Sequence, residues 1–191
     1  MYRLLAWEEG QPFWSNRFVP HERSEAQDSQ QVWFAGVHAD IGGGYPEIES
    51  GLSKFPLIWM IDEAVKAGLT FNARTVNQLA WGVQRRLSAI EYSSPSVTAM
   101  IHNSMTLGWR AFECLPKLNT EREWPRRKSR LGLYIPNGEP RFIPSGAKIH
   151  ESVVKRMDAL ANYRPINLPP QYEIAPMPTP EFGLSNDVVA D

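Results

Sequence analysis

The chain has 191 residues and a formal net charge of -1 at pH 7, with 42% hydrophobic and 21% charged residues. This length suffices for one domain with its own core, and the charge offers no basic surface for nucleic acid or an anionic membrane. The single cysteine, Cys114, excludes an intramolecular disulfide framework and a cysteine-rich metal site. No apolar run approaches the roughly 20 residues needed to span a bilayer, so we expect no transmembrane segment.

The first 30 residues contain many large apolar side chains but no clean period, and they end in the polar stretch HERSEAQDSQ. Glu8 and Glu9 interrupt the apolar stretch where a signal peptide would continue. The apolar side chains suit either a membrane interface or packing against other structure, and we favour packing. We interpret residues 1–30 as a truncated N-terminal segment.

A strand, a glycine loop and a helix follow one another in the next part of the chain. Residues 31–37, QVWFAGV, form an uncharged apolar run typical of a strand buried on both faces of a parallel sheet. The run ends in HADIGGGYPE, where consecutive glycines and a proline cannot continue a regular element. Ser53 is the predicted N-cap of a helix that ends at Gly68. One helix face would carry the apolar residues Leu57, Met60, Ile61, Ala64 and Val65.

Further elements are predicted towards the C-terminus. Apolar spacing favours helices over residues 74–90 and 150–160, and residues 132–144 read as a hairpin that turns at Asn137 and Gly138. The order of elements indicates the α/β class. Residues 170–191 are rich in proline and are interpreted as a disordered or draped tail.

His38 is the leading candidate for chemistry because it follows the buried strand at its C-terminal end. In open α/β sheets this edge binds ligands and carries catalytic groups, and an imidazole there suits a general base. A structural hydrogen-bonding role for His38 fits the same position equally well. Asp40 could orient a base, bind a metal together with His38, or cap the glycine turn. One His-x-Asp pair is weak evidence for a metal, since three or more ligands are normally needed, and we predict no metal or cofactor.

Gly42, Gly43 and Gly44 lack the G-x-G-x-x-G spacing and are not followed by Gly-Lys-Ser/Thr, so nucleotide binding is not expected. We expect them to approach a substrate closely or to form a sharp turn that positions His38. His102 and His150 each lie near a serine, but no serine of the chain stands in a Gly-x-Ser-x-Gly elbow. His150 is better interpreted as a residue that caps a helix start.

The stretch QVWFAGVHADIGGGYPE, followed by LSKFPLIWMIDEAVKAGL, closely resembles a block typical of the α/β-hydrolase family that includes type VI secretion lipase effectors of family one. The segments HNSMTLGWRAF and IHESVVKRM with YRPINLP also resemble later parts of that family. The resemblance therefore covers roughly residues 31 to 169. It implies a bacterial phospholipase-like enzyme and a partial α/β-hydrolase fold that lacks the N-terminal half of its sheet.

The family's triad comprises an elbow serine, an aspartate on a following strand and a histidine in the Gly-Val-His-x-Asp block. Only that histidine finds a match here, at His38, while the resemblance puts Asp40 behind the histidine rather than against the substrate. The serine and the triad aspartate would precede residue 1. A truncated gene, a split protein and an incomplete gene model would each account for this.

Two functions from different classes remain open on the sequence alone. The first is the C-terminal part of a serine ester hydrolase that cleaves phospholipids or other esters, with His38 as general base. The second is a catalytically inactive remnant or interaction module. The resemblance further implies an N-terminal half or an immunity protein as partner, and synthesis in the cytoplasm before delivery to the periplasm or membrane of a target cell.

Overall fold

The computed structural model describes residues 4–8, 30–85, 89–103, 114–118, 133–135 and 140–178. In chain order, the elements of these residues are β1 (Leu4–Glu8), β2 (Gln31–Ala35), α1 (His38–Gly42), a 3-10 turn (Glu47–Glu49), α2 (Lys54–Lys66), α3 (Ala73–Leu79), β3 (Lys117–Leu118), β4 (Leu133–Tyr134), β5 (Lys148–His150), α4 (Glu151–Ala159) and β6 (Glu173–Ala175). None of the helices in these ranges is long and apolar enough to cross a bilayer.

The main sheet has the strand order β1-β2-β5-β6. β2, β5 and β6 run parallel, and β1 pairs antiparallel with β2 at one edge. This three-stranded parallel arrangement with flanking helices is compatible with the α/β class that the sequence predicted. The second sheet is the short antiparallel pair β3-β4.

β2 is buried on both faces, as its continuous apolar sequence predicted. Because side chains alternate along a strand, Trp33 and Ala35 pack on one face with Ile149 and Val153. The other face of β2 packs against α1 and α2, where the core contains Val32, Phe34, Ile41, Phe55 and Trp59. Phe34 meets Trp59 edge-on, with the ring centroids 6.1 Å apart.

α2 confirms the predicted helix, but its buried face differs from the predicted one. The helix buries Phe55, Ile58 and Trp59, whereas Leu57 is 40% exposed. The aromatic side chains at positions 55 and 59 fill the layer above β2, and this contact sets the rotation of the helix. Ser53 does not cap the helix through its side chain, because its hydroxyl donates to the carbonyl of Ser50.

α3 is shorter than the helix predicted over residues 74–90. Asn72 caps its start by accepting a hydrogen bond from the backbone N–H of Thr75, and the helix ends at Leu79. Gly82 then adopts a left-handed φ of 68°, and a Cβ on it would lie 2.7 Å from the backbone nitrogen of Ser94. The chain therefore turns at Gly82, close to the segment that contains Ser94. The apolar spacing predicts that the helix continues through this point.

The C-terminal elements differ from the sequence predictions in two places. β4 pairs with β3 rather than with residues 141–143, which form no strand, and the predicted turn at Asn137 and Gly138 lies outside the described residues. β6, which lies within the predicted tail, adds a parallel strand beside β5. By contrast α4 follows the prediction, and His150 caps it by accepting from the backbone N–H of Ser152.

Candidate functional site

Asp40 lies in α1, just beyond the C-terminal end of β2, and is only 3% exposed. Its Oδ2 accepts hydrogen bonds from the backbone N–H groups of Val37, at 2.9 Å, and His102, at 3.2 Å. Its Oδ1 lies 2.6 Å from Nδ1 of His102. An ionised carboxylate only accepts, so Nδ1 of His102 carries the hydrogen of this bond. Asp40 thereby caps the turn after β2 and orients an imidazole.

His102 contacts three side chains that come from the segment between β2 and α2. Besides Asp40, Glu49 places its Oε2 3.0 Å from the imidazole Nε2. Tyr45 stacks on the ring, with the centroids 3.5 Å apart and an angle of 18° between the planes. The hydrogen bond to Asp40 raises the pKa of His102 most; burial opposes this rise, and the bond to Glu49 adds to it. Bonding to the charged form is what raises a histidine pKa.

The segment that carries His102 is held by hydrogen bonds from two other parts of the chain. Arg156 of α4, itself 4% exposed, donates from Nη1 to the carbonyls of Val97, at 2.5 Å, and Ala99, at 2.7 Å. The backbone N–H of Ser96 donates to the carbonyl of Gly51 at 3.1 Å. These bonds fix the backbone shortly before His102, so the position of its ring depends on α4 as well as on α1.

The loop between α1 and α2 is also tied at several points. The Ser50 hydroxyl lies within hydrogen-bond distance of the carbonyls of Tyr45 and Pro46. Glu47 pairs with the buried ammonium of Lys54 and accepts from the backbone N–H of Ser93. The 3-10 turn that carries Glu49 therefore has a fixed backbone. The contact between this turn and His102 depends on the conformation of its side chains.

The three glycines predicted to bind substrate are exposed; Gly42 is the last residue of α1, and Gly43 and Gly44 begin the loop. Gly43 adopts a left-handed φ of 75° at the end of α1. Gly44 donates its N–H to the carbonyl of Ala39, and a Cβ on it would lie 3.0 Å from the Cβ of Ala39. These contacts account for Gly43 and Gly44 through the sharp turn; a substrate role for Gly42, Gly43 and Gly44 stays a prediction.

The structure brings Asp40 together with His102, which the sequence did not predict as a site residue. His38, the predicted base, begins α1 and is exposed, and its role stays a prediction. Sequence patterns pair His102 only with the serine two residues later. The signal available was indirect: a carboxylate predicted to follow a buried strand needs a charged or hydrogen-bonding partner, and the chain has only four histidines.

A further histidine, His150, lies at the end of β5 beside β2. Its ring is stacked on Phe34 at 4.6 Å and is fully buried. Because Nδ1 accepts from the backbone N–H of Ser152, the neutral ring carries its hydrogen on Nε2. Nε2 has no hydrogen-bond partner within the described ranges. Burial lowers the pKa of His150 to about 4, so the ring is neutral near pH 7.

Within the part of the chain that the structure describes, no group of three or more His, Cys, Asp or Glu residues could hold a metal ion. The arrangement at His102 shows why. Asp40 and Glu49 face opposite nitrogens of one imidazole, so their oxygens do not converge on a common point. The geometry suits proton binding and transfer.

Gly36→Ala is expected to disturb the site and to lower the free energy of unfolding by about 1–3 kcal/mol. Gly36 has a φ of 139°, and an added Cβ would lie 2.6 Å from the Cβ of Asp40. Urea denaturation measures the change. Gly42→Ala is the matched control, since an added Cβ there meets nothing within 4 Å. Equal stability of the two variants would contradict the prediction.

Comparison with known proteins gives a family match over part of the chain. Residues 4–63 match the family model described as "T6SS, Phospholipase effector Tle1-like, catalytic domain". The resemblance found in the sequence is confirmed over residues 31–63, where the two ranges overlap; these residues include β2, Asp40 and most of α2 but not His102.

One curated relative is the uncharacterized protein YEL023C of Saccharomyces cerevisiae, which is 38% identical over 56 residues. The matched region is 28% of this chain and covers only 8% of the yeast protein's length. No solved structure matches the chain.

Proposed function

We propose, from the family match of residues 4–63 and the pair Asp40–His102, that this chain supplies the acid–base part of a phospholipase-like ester hydrolase related to type VI secretion effectors. Its parallel sheet would be part of an α/β-hydrolase fold. The observation that carries the proposal is the 2.6 Å contact between Oδ1 of Asp40 and Nδ1 of His102, made by a carboxylate that two backbone N–H groups also hold.

The arrangement suits general-base catalysis in acyl transfer. A buried aspartate bonded to Nδ1–H fixes the tautomer of the imidazole, so that Nε2 can take the proton of an attacking hydroxyl. Asp40 lies at the C-terminal end of a parallel strand, where α/β enzymes place their catalytic groups. In the proposed reaction, Nε2 of His102 takes the serine proton while serine attacks the ester carbonyl, and the imidazolium then protonates the leaving alcohol.

His38 is the second candidate for the base. It lies two residues before Asp40 and is exposed, which would give it access to a substrate. The geometry favours His102, because its ring is oriented by a buried carboxylate and by a stacked tyrosine. Substitution of each histidine in turn separates the two.

In this proposal the nucleophile comes from outside these 191 residues, since they contain no Gly-x-Ser-x-Gly elbow. We propose that a segment with such an elbow completes the site, either in the same polypeptide or in a partner. By analogy with the family, the completed enzyme would be delivered into target cells, would act on phospholipids and would be opposed by an immunity protein.

The test compares this chain alone with a fusion that carries the elbow segment of a Tle1-like catalytic domain on its N-terminal side. Fatty-acid release is measured from vesicles of phosphatidylethanolamine and phosphatidylglycerol. We expect hydrolysis by the fusion only. His102→Asn should abolish it, and His38→Asn, the matched control, should retain it. Circular dichroism melting checks that each protein folds.

Three outcomes would change the proposal. Loss of hydrolysis in His38→Asn with retention in His102→Asn would make His38 the base. Fluorophosphonate labelling of the chain alone, lost in His102→Asn, would place the nucleophile within these residues. A folded fusion without activity would favour the interaction module instead.

A further inference from the structure

We propose that Glu49 is a positioning residue that holds His102 in its doubly protonated form and thereby keeps the site closed until the carboxylate swings away. The group formed by Glu49, Asp40 and Tyr45 around His102 is called the imidazole clasp below. The clasp is argued from the contacts around His102 alone. Only its effect on catalysis rests on the proposed function.

The number of N–H groups on the imidazole ring determines which of its protonation states fits the two carboxylates. Asp40 lies 2.6 Å from Nδ1 of His102 and Glu49 lies 3.0 Å from Nε2, so each ring nitrogen faces a carboxylate oxygen. A neutral imidazole has one N–H and one bare nitrogen, and a bare nitrogen facing a carboxylate would pair two acceptors. With both carboxylates ionised, both contacts are favourable only when both nitrogens carry hydrogens. The clasp therefore selects the imidazolium.

The remaining surroundings of the ring agree with a positive charge. Tyr45 covers its face at a centroid distance of 3.5 Å, and an aromatic face attracts a cation. In the described part of the chain, the titratable groups in contact with His102 are Asp40 of α1, Glu49 of the 3-10 turn and Tyr45 of the loop between them. The raised pKa of His102 has the direction that two carboxylates require.

The two carboxylates differ in how easily they can leave the ring. The Asp40 side chain is 1% exposed and also accepts from two backbone N–H groups, so it is fixed. The Glu49 side chain is 43% exposed, and an exposed ion pair contributes little net stability. The backbone of its turn is fixed separately by Ser50 and Glu47. Glu49 can therefore rotate away without unfolding the turn.

Because Asp40 is fixed and Glu49 can rotate, the clasp opens at the Nε2 side of His102. When Glu49 leaves and Nε2 loses its proton, Asp40 still holds Nδ1–H, and the bare Nε2 faces the space that Glu49 occupied. A general base needs this state, because a protonated Nε2 cannot accept a proton. A rise in pH, or an entering group that displaces the carboxylate, would open the site. We infer that the hydroxyl of the nucleophile takes the place of Glu49.

The experiment is a titration of the 191-residue chain followed by proton–nitrogen NMR of the histidine rings. We expect Glu49→Gln to lower the titration midpoint of His102, and Asp40→Asn to lower it further, since the bond to Asp40 contributes more. Glu63→Gln is the matched control: this carboxylate pairs with Lys66 on α2 and should leave the midpoint unchanged. Glu49→Asp keeps the charge but shortens the reach, and should give an intermediate value.

An unchanged midpoint in both Glu49→Gln and Glu49→Asp would overturn the proposal. If Glu49→Gln fails to fold, Glu49→Asp decides the matter with the same readout. These spectra need no nucleophile and no hydrolysis, so a shifted midpoint with an inactive fusion would support the clasp and reject the proposed function. In an active fusion, Glu49→Gln should also move the acidic limb of the pH–rate profile to lower pH by the shift seen in the spectra.

Discussion

Acidification from pH 6.5 to pH 4 is expected to lower the free energy of unfolding by about 3 kcal/mol through His150 alone. In the unfolded chain this histidine titrates near 6.5, whereas burial lowers its pKa to about 4 in the folded protein. Between these values the unfolded state binds a proton that the folded state does not bind. The contribution of His150 to stability is therefore present above pH 6.5 and is lost as the pH falls through this window.

Urea unfolding at several pH values between 4 and 7 measures the effect, and His150→Asn is the control. Asparagine is a good N-cap and can still accept from the N–H of Ser152, but it does not titrate in this range. The wild-type stability should fall more steeply with acid than that of the variant, and carboxylates contribute equally to both curves. Parallel curves would contradict the prediction and would mean that the folded protein admits a charged His150.

His102 is expected to add a pH dependence of the opposite sign. Its pKa is raised in the folded state, chiefly by the bond to Asp40, so its contribution is fully present below pH 6.5 and is lost as the pH rises through the folded pKa. His102→Asn, compared with the wild type above pH 6.5, isolates this loss. The two histidines together favour maximal stability near pH 6.5.

Asp40→Asn is expected to lower the rate of ester hydrolysis by the fusion protein about 10⁴-fold. The asparagine amide can turn its NH₂ towards Nδ1 of His102, which then becomes the acceptor and leaves the hydrogen on Nε2. The imidazole would keep its place but present the wrong tautomer to the nucleophile. Stability should change little by comparison, because an amide oxygen can still accept from the N–H of Val37.

Initial rates of fatty-acid release measure this loss, and the nitrogen shifts of His102 report the tautomer in the same protein. Asp62→Asn serves as the matched control, since Asp62 is a carboxylate of α2 that pairs with Lys66 away from the site. A loss of less than tenfold in Asp40→Asn, with the tautomer unchanged, would mean that Asp40 is a structural cap and does not orient the base.

The elements that could be predicted are those whose environment is visible as a pattern in their local sequence. β2 has a continuous apolar run because both of its faces are buried, and α4 has a clear start because His150 caps it. The position of the site beyond the end of β2 could be predicted in the same way, since Asp40 follows a buried parallel strand within a few residues. Periodicity and capping are local signals, and they were sufficient for these features.

The missed features depend on contacts between distant segments. α3 ends at Leu79 because the chain must turn at Gly82 under Ser94, and β6 exists because β5 offers it an unpaired edge. His102 meets Asp40 because Arg156 of α4 fixes the segment before it. No pattern within a short window of sequence specifies such pairings, so the partner of Asp40 needed the tertiary structure.

The distances along the chain also decide when the site forms during folding. Asp40 and His102 are 62 residues apart, and the bond from Arg156 to the Val97 carbonyl joins residues 59 apart. Closing loops of this size costs chain entropy that only the finished core recovers, and contacts of long sequence separation form slowly. The hydrogen bond between Asp40 and His102 should therefore form late in folding, together with the core, and its proton should give a resonance only in the folded molecule. Its resonance would count folded molecules directly as temperature or denaturant is raised.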